Sequence, residues 1–215
     1  SDEEKVLYFA REKKGHEGVK GTVTEDFRGI LVHDHEITFY RYGSAHQECL
    51  AHVERYLKDS MENESSLTWN RRMRELLQRM IHYRKEHTGE ASLDAQTVAG
   101  FETEYQEILD KAKEEYKRNE PSPYYREGYN LYRRMQEYKT EHLLFLHDMR
   151  VPTTNNTAER CLRDYKRKQT FAMTFRSLES IEELCHSKGV LLEVRKNNPN
   201  IYTAVMEIFN RRYGA

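Results

Sequence analysis

The sequence is short of the residues that build turns: 10 Gly and 4 Pro in 215 positions. That scarcity argues against an architecture of many short strands and favours long helices. Cysteine is scarce too, three residues with no paired spacing, which excludes a disulfide scaffold and points to a reducing compartment. No apolar run approaches the roughly 18 residues a membrane span needs, and the polar, acidic start is no signal peptide. The expectation is a soluble, cytoplasmic protein. Net charge is also lacking: 35 basic residues against 36 acidic ones leave −1. A nucleic-acid contact would therefore need a local basic face. There is no Gly-rich phosphate loop, no G-x-S-x-G and no H-E-x-x-H. ATPase, serine hydrolase and zinc protease readings lose their support.

What is present is charge and helical periodicity. Charged residues make up 33 % of the chain and hydrophobic ones 37 %, so the apolar residues must sit in narrow stripes. The strand candidates lie early: Lys5 to Ala10, and Gly29 to Val32, a compact apolar run of the kind buried on both faces of a sheet. The second ends in His33, Asp34 and His35, polar groups at a strand's C-terminal end, where sites collect in open α/β sheets. A helix is expected from Glu48 to Leu57. Three further stripes follow: Met73 to Ile81, Phe101 to Tyr116, and Tyr125 through Leu146. Breakers lie between them at Thr88-Gly89 and Pro121-Ser122-Pro123. Together they read as a helical insertion over residues 59–147, between core segments 1–58 and 148–215. Helices are also expected over 157–168 and 178–195, then from Pro199, with Ile201, Ala204, Val205, Ile208 and Phe209 facing inward.

Three groups could carry chemistry. Asp34, at the end of a buried strand, has the rigid support that a metal-binding carboxylate needs; a turn residue would look the same. Glu159 and Lys166 are seven residues apart, about 20° from eclipsed on a helix, with Arg163 between them on that face. A carboxylate followed by basic groups one and two turns on suits a metal-bound phosphodiester. Asn156 and Glu159 fit a capping box equally well. Finally, His46-x-x-Cys49-x-x-His52 invites a zinc reading, although its spacing matches no common zinc motif; a buried Cys beside a hydrogen-bonded His is the structural alternative.

Three segments, in order, resemble the insertion sequence sixty-six family of transposases. They are Phe27 to His35, His46 to Leu57 with its H-x-x-C-x-x-H-x-x-R pattern, and Val151 to Lys168 with its N-N-x-A-E-R-x-L-R pattern. The resemblance implies a DDE-type catalytic domain: a ribonuclease H-like α/β core interrupted by a large helical insertion. It implies DNA strand cleavage and strand transfer with two Mg²⁺ or Mn²⁺ ions. Asp34 matches the second carboxylate, Glu159 the third, and Lys166 the lysine that contacts DNA near the scissile phosphate. Arg160, Arg163 and Arg167 extend that DNA-binding face. The partners implied are DNA ends and target, within a homo-oligomer. The family's first Asp stands on a strand before a segment like Lys5 to Ala10, and Asp2 is too close to serve. The expectation is a C-terminal fragment that neither cuts nor joins DNA alone. The alternative is a transposase-derived module that grips DNA or assembles without catalysis.

Overall fold

A computed structural model describes residues 6–172, 177–198 and 200–213. The chain is helix-rich α/β, with one small parallel sheet among the described residues. No described helix is long and apolar enough to cross a membrane. The chain divides into two compact units: Asp26–Asn155, and Ser1–Glu25 together with Asn156–Ala215.

The second unit opens with Val6–Ala10 and the short helix α1, His16–Val19. Lys5 lies outside the described residues. The strand expected there does not form: residues 6–10 adopt no regular structure. The run keeps a strand's alternation, with Leu7 and Phe9 exposed and Tyr8 buried, but no described strand pairs with it. Tyr8 is held instead by its side chain. Its hydroxyl donates to the Cys161 carbonyl at 3.0 Å, and the Lys188 ammonium stands over its ring.

In Asp26–Asn155, strand β1 (Ile30–His33) pairs in parallel with β2 (Ala45–Glu48), Ile30 opposite Ala45 and His33 opposite Glu48. The connection is only eleven residues, 34–44, and contains a 3-10 helix, Ile37–Arg41. So tight a return needs Gly43, whose φ of 76° favours glycine and whose missing Cβ would stand 2.9 Å from the Gly29 carbonyl oxygen. The run expected to be buried on both faces is half-buried. A two-stranded sheet has one packed face, and Ile30 and Val32 lie on it against the helical core.

Five helices complete this unit: α2 (Leu50–Asn63), α3 (Trp69–Glu86), α4 (Ala95–Arg118), α5 (Glu127–Glu137) and α6 (Lys139–His147). Helix α3 packs on both α2 and α4, α5 on α2, and α6 on β2. Their stripes meet in one core around Leu57, Trp69, Met73, Leu77, Tyr105, Ile108 and Met135. The ends are capped as the breakers suggest. Asp94 accepts from the Thr97 amide at 2.7 Å, and Glu115 reaches from α4 to the Thr68 and Trp69 amides opening α3. The third stripe departs from expectation, since it is two helices broken at Tyr138 with no Gly or Pro there. The break is tertiary. Gln47 of β2 accepts from the Phe145 amide at 2.8 Å and donates to the His142 carbonyl at 3.3 Å, tying α6 to the strand. The Tyr138 ring packs on Tyr40.

Helices α7 (Asn156–Ala172), α8 (Leu178–Asn197) and α9 (Ile201–Tyr213) belong to the second unit. Pro199 lies outside the described residues. Helix α9 packs on α8, but of its expected inward stripe only Ala204 is fully buried. Ile208 is 44 % and Phe209 57 % exposed.

Candidate functional site

The parallel pairing of His33 with Glu48 brings two strand ends side by side, and the next residue on each is Asp34 and Cys49. The Cys49 amide extends the ladder by donating to the His33 carbonyl at 2.8 Å. Cys49 then becomes the N-cap of α2, which puts His52 in the first turn. Asp34, Cys49 and His52 therefore converge: a carboxylate oxygen, Sγ and a ring nitrogen lie within 4.8 Å of one another. His52 Nε2 is 3.5 Å from Asp34 Oδ1.

Asn155 arranges this group. Its carboxamide donates to Asp34 Oδ1 at 2.7 Å and its backbone amide to Cys49 Sγ at 3.4 Å. The incoming strand of chain is pinned too, the Leu50 amide donating to the Thr153 carbonyl at 2.9 Å. Asn155 Oδ1 is buried and has no hydrogen-bond partner. Burial pushes the Cys49 thiol above its ordinary pKa, and the Asp34 charge adds to that, against the amides of Asn155, His52 and Ala51. The Asp34 side chain remains 46 % exposed, open to a ligand.

Behind the strand ends lies a buried polar network that sequence reading missed. Glu48, 1 % exposed, accepts from His35 Nδ1 at 2.7 Å and from the Tyr40 hydroxyl. Its other oxygen lies 3.2 Å from His142 Nε2 and 3.5 Å from Arg134 Nε. Burial works to raise the Glu48 pKa, but His142, His35 and Arg134 outweigh it and hold the carboxyl far below its usual range. His33 and His46 form a separate pair, Nε2 to Nδ1 at 3.2 Å. Burial lowers the pKa of both rings, so both are neutral near pH 7. His46, Cys49 and His52 do not gather as one set. His46 belongs to β2, not a helix, and turns to His33, while Cys49 and His52 turn to Asp34.

The other expected residues are on α7, in the other compact unit. Glu159 is in its first turn, half-buried; Arg160, Arg163, Lys166 and Arg167 are exposed. Glu159, Arg163 and Lys166 share one face at i, i+4 and i+7, and Arg160, Arg163 and Arg167 mark an overlapping stripe. Three thiols, Cys49, Cys161 and Cys185, are unbridged.

A family comparison matches residues 1–183 to the Transposase IS66 family. The chain belongs to that family. The match takes in both strand ends, the Asn155 loop and α7, and it ends within α8. No curated protein and no solved structure matches the chain. Membership in the Transposase IS66 family gives the chain a transposition-related function, in the enzyme class that works on DNA and uses divalent metal.

The donors beside Asp34 fit a divalent ion. A half-exposed carboxylate stands next to a carboxamide oxygen that is buried without a donor, and oxygen ligands of this kind suit Mg²⁺ or Mn²⁺.

Proposed function

We propose that this chain is part of a DDE-type transposase catalytic domain with a ribonuclease H-like core, which cleaves and joins DNA strands. In this reading Asp34 and Glu159 are the carboxylates that hold Mg²⁺ or Mn²⁺. The observation that carries it is the Asn155 hydrogen bond to Asp34. Asn155 immediately precedes α7, so the residue that steadies the strand-end carboxylate is four positions from Glu159 in the chain. The family match supports it, since both residues lie within the matched stretch.

Bound divalent metal supplies Lewis-acid stabilisation of phosphate oxygens and a more acidic bound water or hydroxyl. The protein's own residues do the rest. Asp34, on a strand end, and Glu159, in a helix's first turn, offer anionic oxygens from rigid elements. Arg163 and Lys166 continue the Glu159 face and present cations to phosphates on either side of the reacting one. Arg160 and Arg167 widen that face and hold the duplex by its backbone, with no demand on sequence. Assembly on paired DNA ends would involve further copies of the chain.

Electron paramagnetic resonance of Mn²⁺ titrated into the purified chain tests the assignment. Asp34→Asn and Glu159→Gln are each expected to weaken Mn²⁺ binding at least tenfold, with Mg²⁺ competing in the wild type. Unchanged affinity in both variants would refute it.

A further inference from the structure

Two of the three side chains that converge at the end of β1 are not those that Mg²⁺ prefers. Mg²⁺ takes oxygen ligands, whereas a thiolate and an imidazole suit borderline-soft ions. We propose that Asp34, Cys49 and His52 form a binding site for one Zn²⁺-type divalent cation, with Asn155 orienting the donors. This rests on the geometry of Asp26–Asn155 and shares Asp34 and its partner Asn155 with the DNA chemistry proposed above.

The spacing is right for such an ion. In tetrahedral coordination a sulfur and a nitrogen donor stand about 3.6 Å apart, given Zn–S near 2.3 Å and Zn–N near 2.05 Å. The three donor atoms already lie within 4.8 Å of one another, with the His52–Asp34 edge at 3.5 Å. Closing the set needs shifts on the order of 1 Å, which side-chain rotation provides. The backbone around the donors is already fixed, since Asp34 and Cys49 extend a paired strand ladder and His52 lies one turn into α2.

The surroundings are those of a metal site. One residue, Asn155, hydrogen-bonds both Asp34 and Cys49, and outer partners of this kind commonly set ligand orientation. Its buried carboxamide oxygen has no donor, and a cation beside Asp34 would satisfy it. On binding, the Cys49 thiol releases its proton to solvent and the thiolate sulfur takes the ion. The half-exposed Asp34 side chain keeps the site open to solvent, as in open rather than closed zinc sites.

Cobalt(II) titration of the purified chain tests this, because Co²⁺ replaces Zn²⁺ and reports its ligands spectroscopically. The expected result is one Co²⁺ per chain with a near-ultraviolet thiolate-to-cobalt charge-transfer band, displaced stoichiometrically by Zn²⁺. Cys49→Ser removes the band, while Cys161→Ser and Cys185→Ser keep it. His52→Ala weakens Co²⁺ binding at least tenfold, and guards against a folding defect in the Cys49 variant. The band survives Glu159→Gln, the substitution expected to weaken Mn²⁺, so the two assignments fail separately. No charge-transfer band, or one that persists in Cys49→Ser, overturns the proposal.

Discussion

Replacing Glu48 with glutamine should destabilise the Asp26–Asn155 unit severely while changing almost no volume. The carboxylate is 1 % exposed and is approached by His35 at 2.7 Å, His142 at 3.2 Å, Arg134 at 3.5 Å and the Tyr40 hydroxyl. With an effective dielectric constant near 20, attraction to Arg134 alone is worth roughly 5 kcal/mol. Most of that is offset by the desolvation of two ions. The substitution does not recover the offset, because Arg134 stays largely buried at 13 % side-chain exposure. Removing one partner of a buried pair typically costs about 3–5 kcal/mol. For a unit of this size that lowers the melting temperature by roughly 10–20 °C.

Thermal unfolding followed by circular dichroism at pH 7 measures the loss, and two further observations sharpen it. First, Glu48→Gln combined with Arg134→Met should cost less than the sum of the single variants, since the double variant no longer strands a charge. Second, the Glu48 pKa is depressed in the folded state, so its stabilisation is fully present above the ordinary carboxylate pKa. It is lost progressively as the pH falls below that toward the depressed folded value. The gap between wild type and Glu48→Gln should therefore be constant from pH 7 down to about 4.5 and shrink below that. A melting shift under about 3 °C, or strict additivity of the pair, would refute the reasoning.

Two other substitutions probe the same unit. Gln47→Leu removes the buried hydrogen bonds to the Phe145 amide and the His142 carbonyl; a loss of about 1–3 kcal/mol is expected by urea unfolding, from about 0.5–1.5 per hydrogen bond, and no measurable loss would show that α6 is not held by this clamp. Glu64 has its pKa raised by burial, against hydrogen bonds from Ser60 and Tyr116, so it favours the fold most when protonated and loses that contribution as the pH rises through its folded pKa. Glu64→Gln should therefore gain on the wild type as the pH is raised from about 4 to 7, and parallel pH–stability curves would contradict it.

Much of this architecture was legible because local chemistry and tertiary packing agree. The helix stripes at Met73–Ile81 and Phe101–Tyr116 carry enough apolar residues at helical spacing to name both the element and its buried face. Thr88-Gly89 and Pro121-Ser122-Pro123 mark their limits. Asp34 was legible because a short apolar run ends at it. The errors share a different cause. Lys5 to Ala10 has a strand's composition, but a strand also needs a neighbour, and composition is silent about neighbours. Ala45–Glu48 carries no strand signal, because its polar residues hide a strand whose partner is fixed by the Gly43 turn and the ladder to β1. The break at Tyr138 has no local signal, since it comes from Gln47, some ninety positions earlier.

The same distinction explains which part of the site could be found. His46, Cys49 and His52 look equivalent in the sequence, spaced three apart as on one helix face. The fold divides them because the strand-to-helix transition falls between Glu48 and Cys49. On a strand, successive residues point to opposite faces, and on a helix i and i+3 share one. His46 is thus left on the sheet with His33, while Cys49 and His52, on the helix side of the boundary, come round to Asp34. Where that boundary falls depends on the His33–Glu48 pairing and on the buried network around Glu48. A residue with no chemical signature in the sequence therefore decides which side chains gather at Asp34.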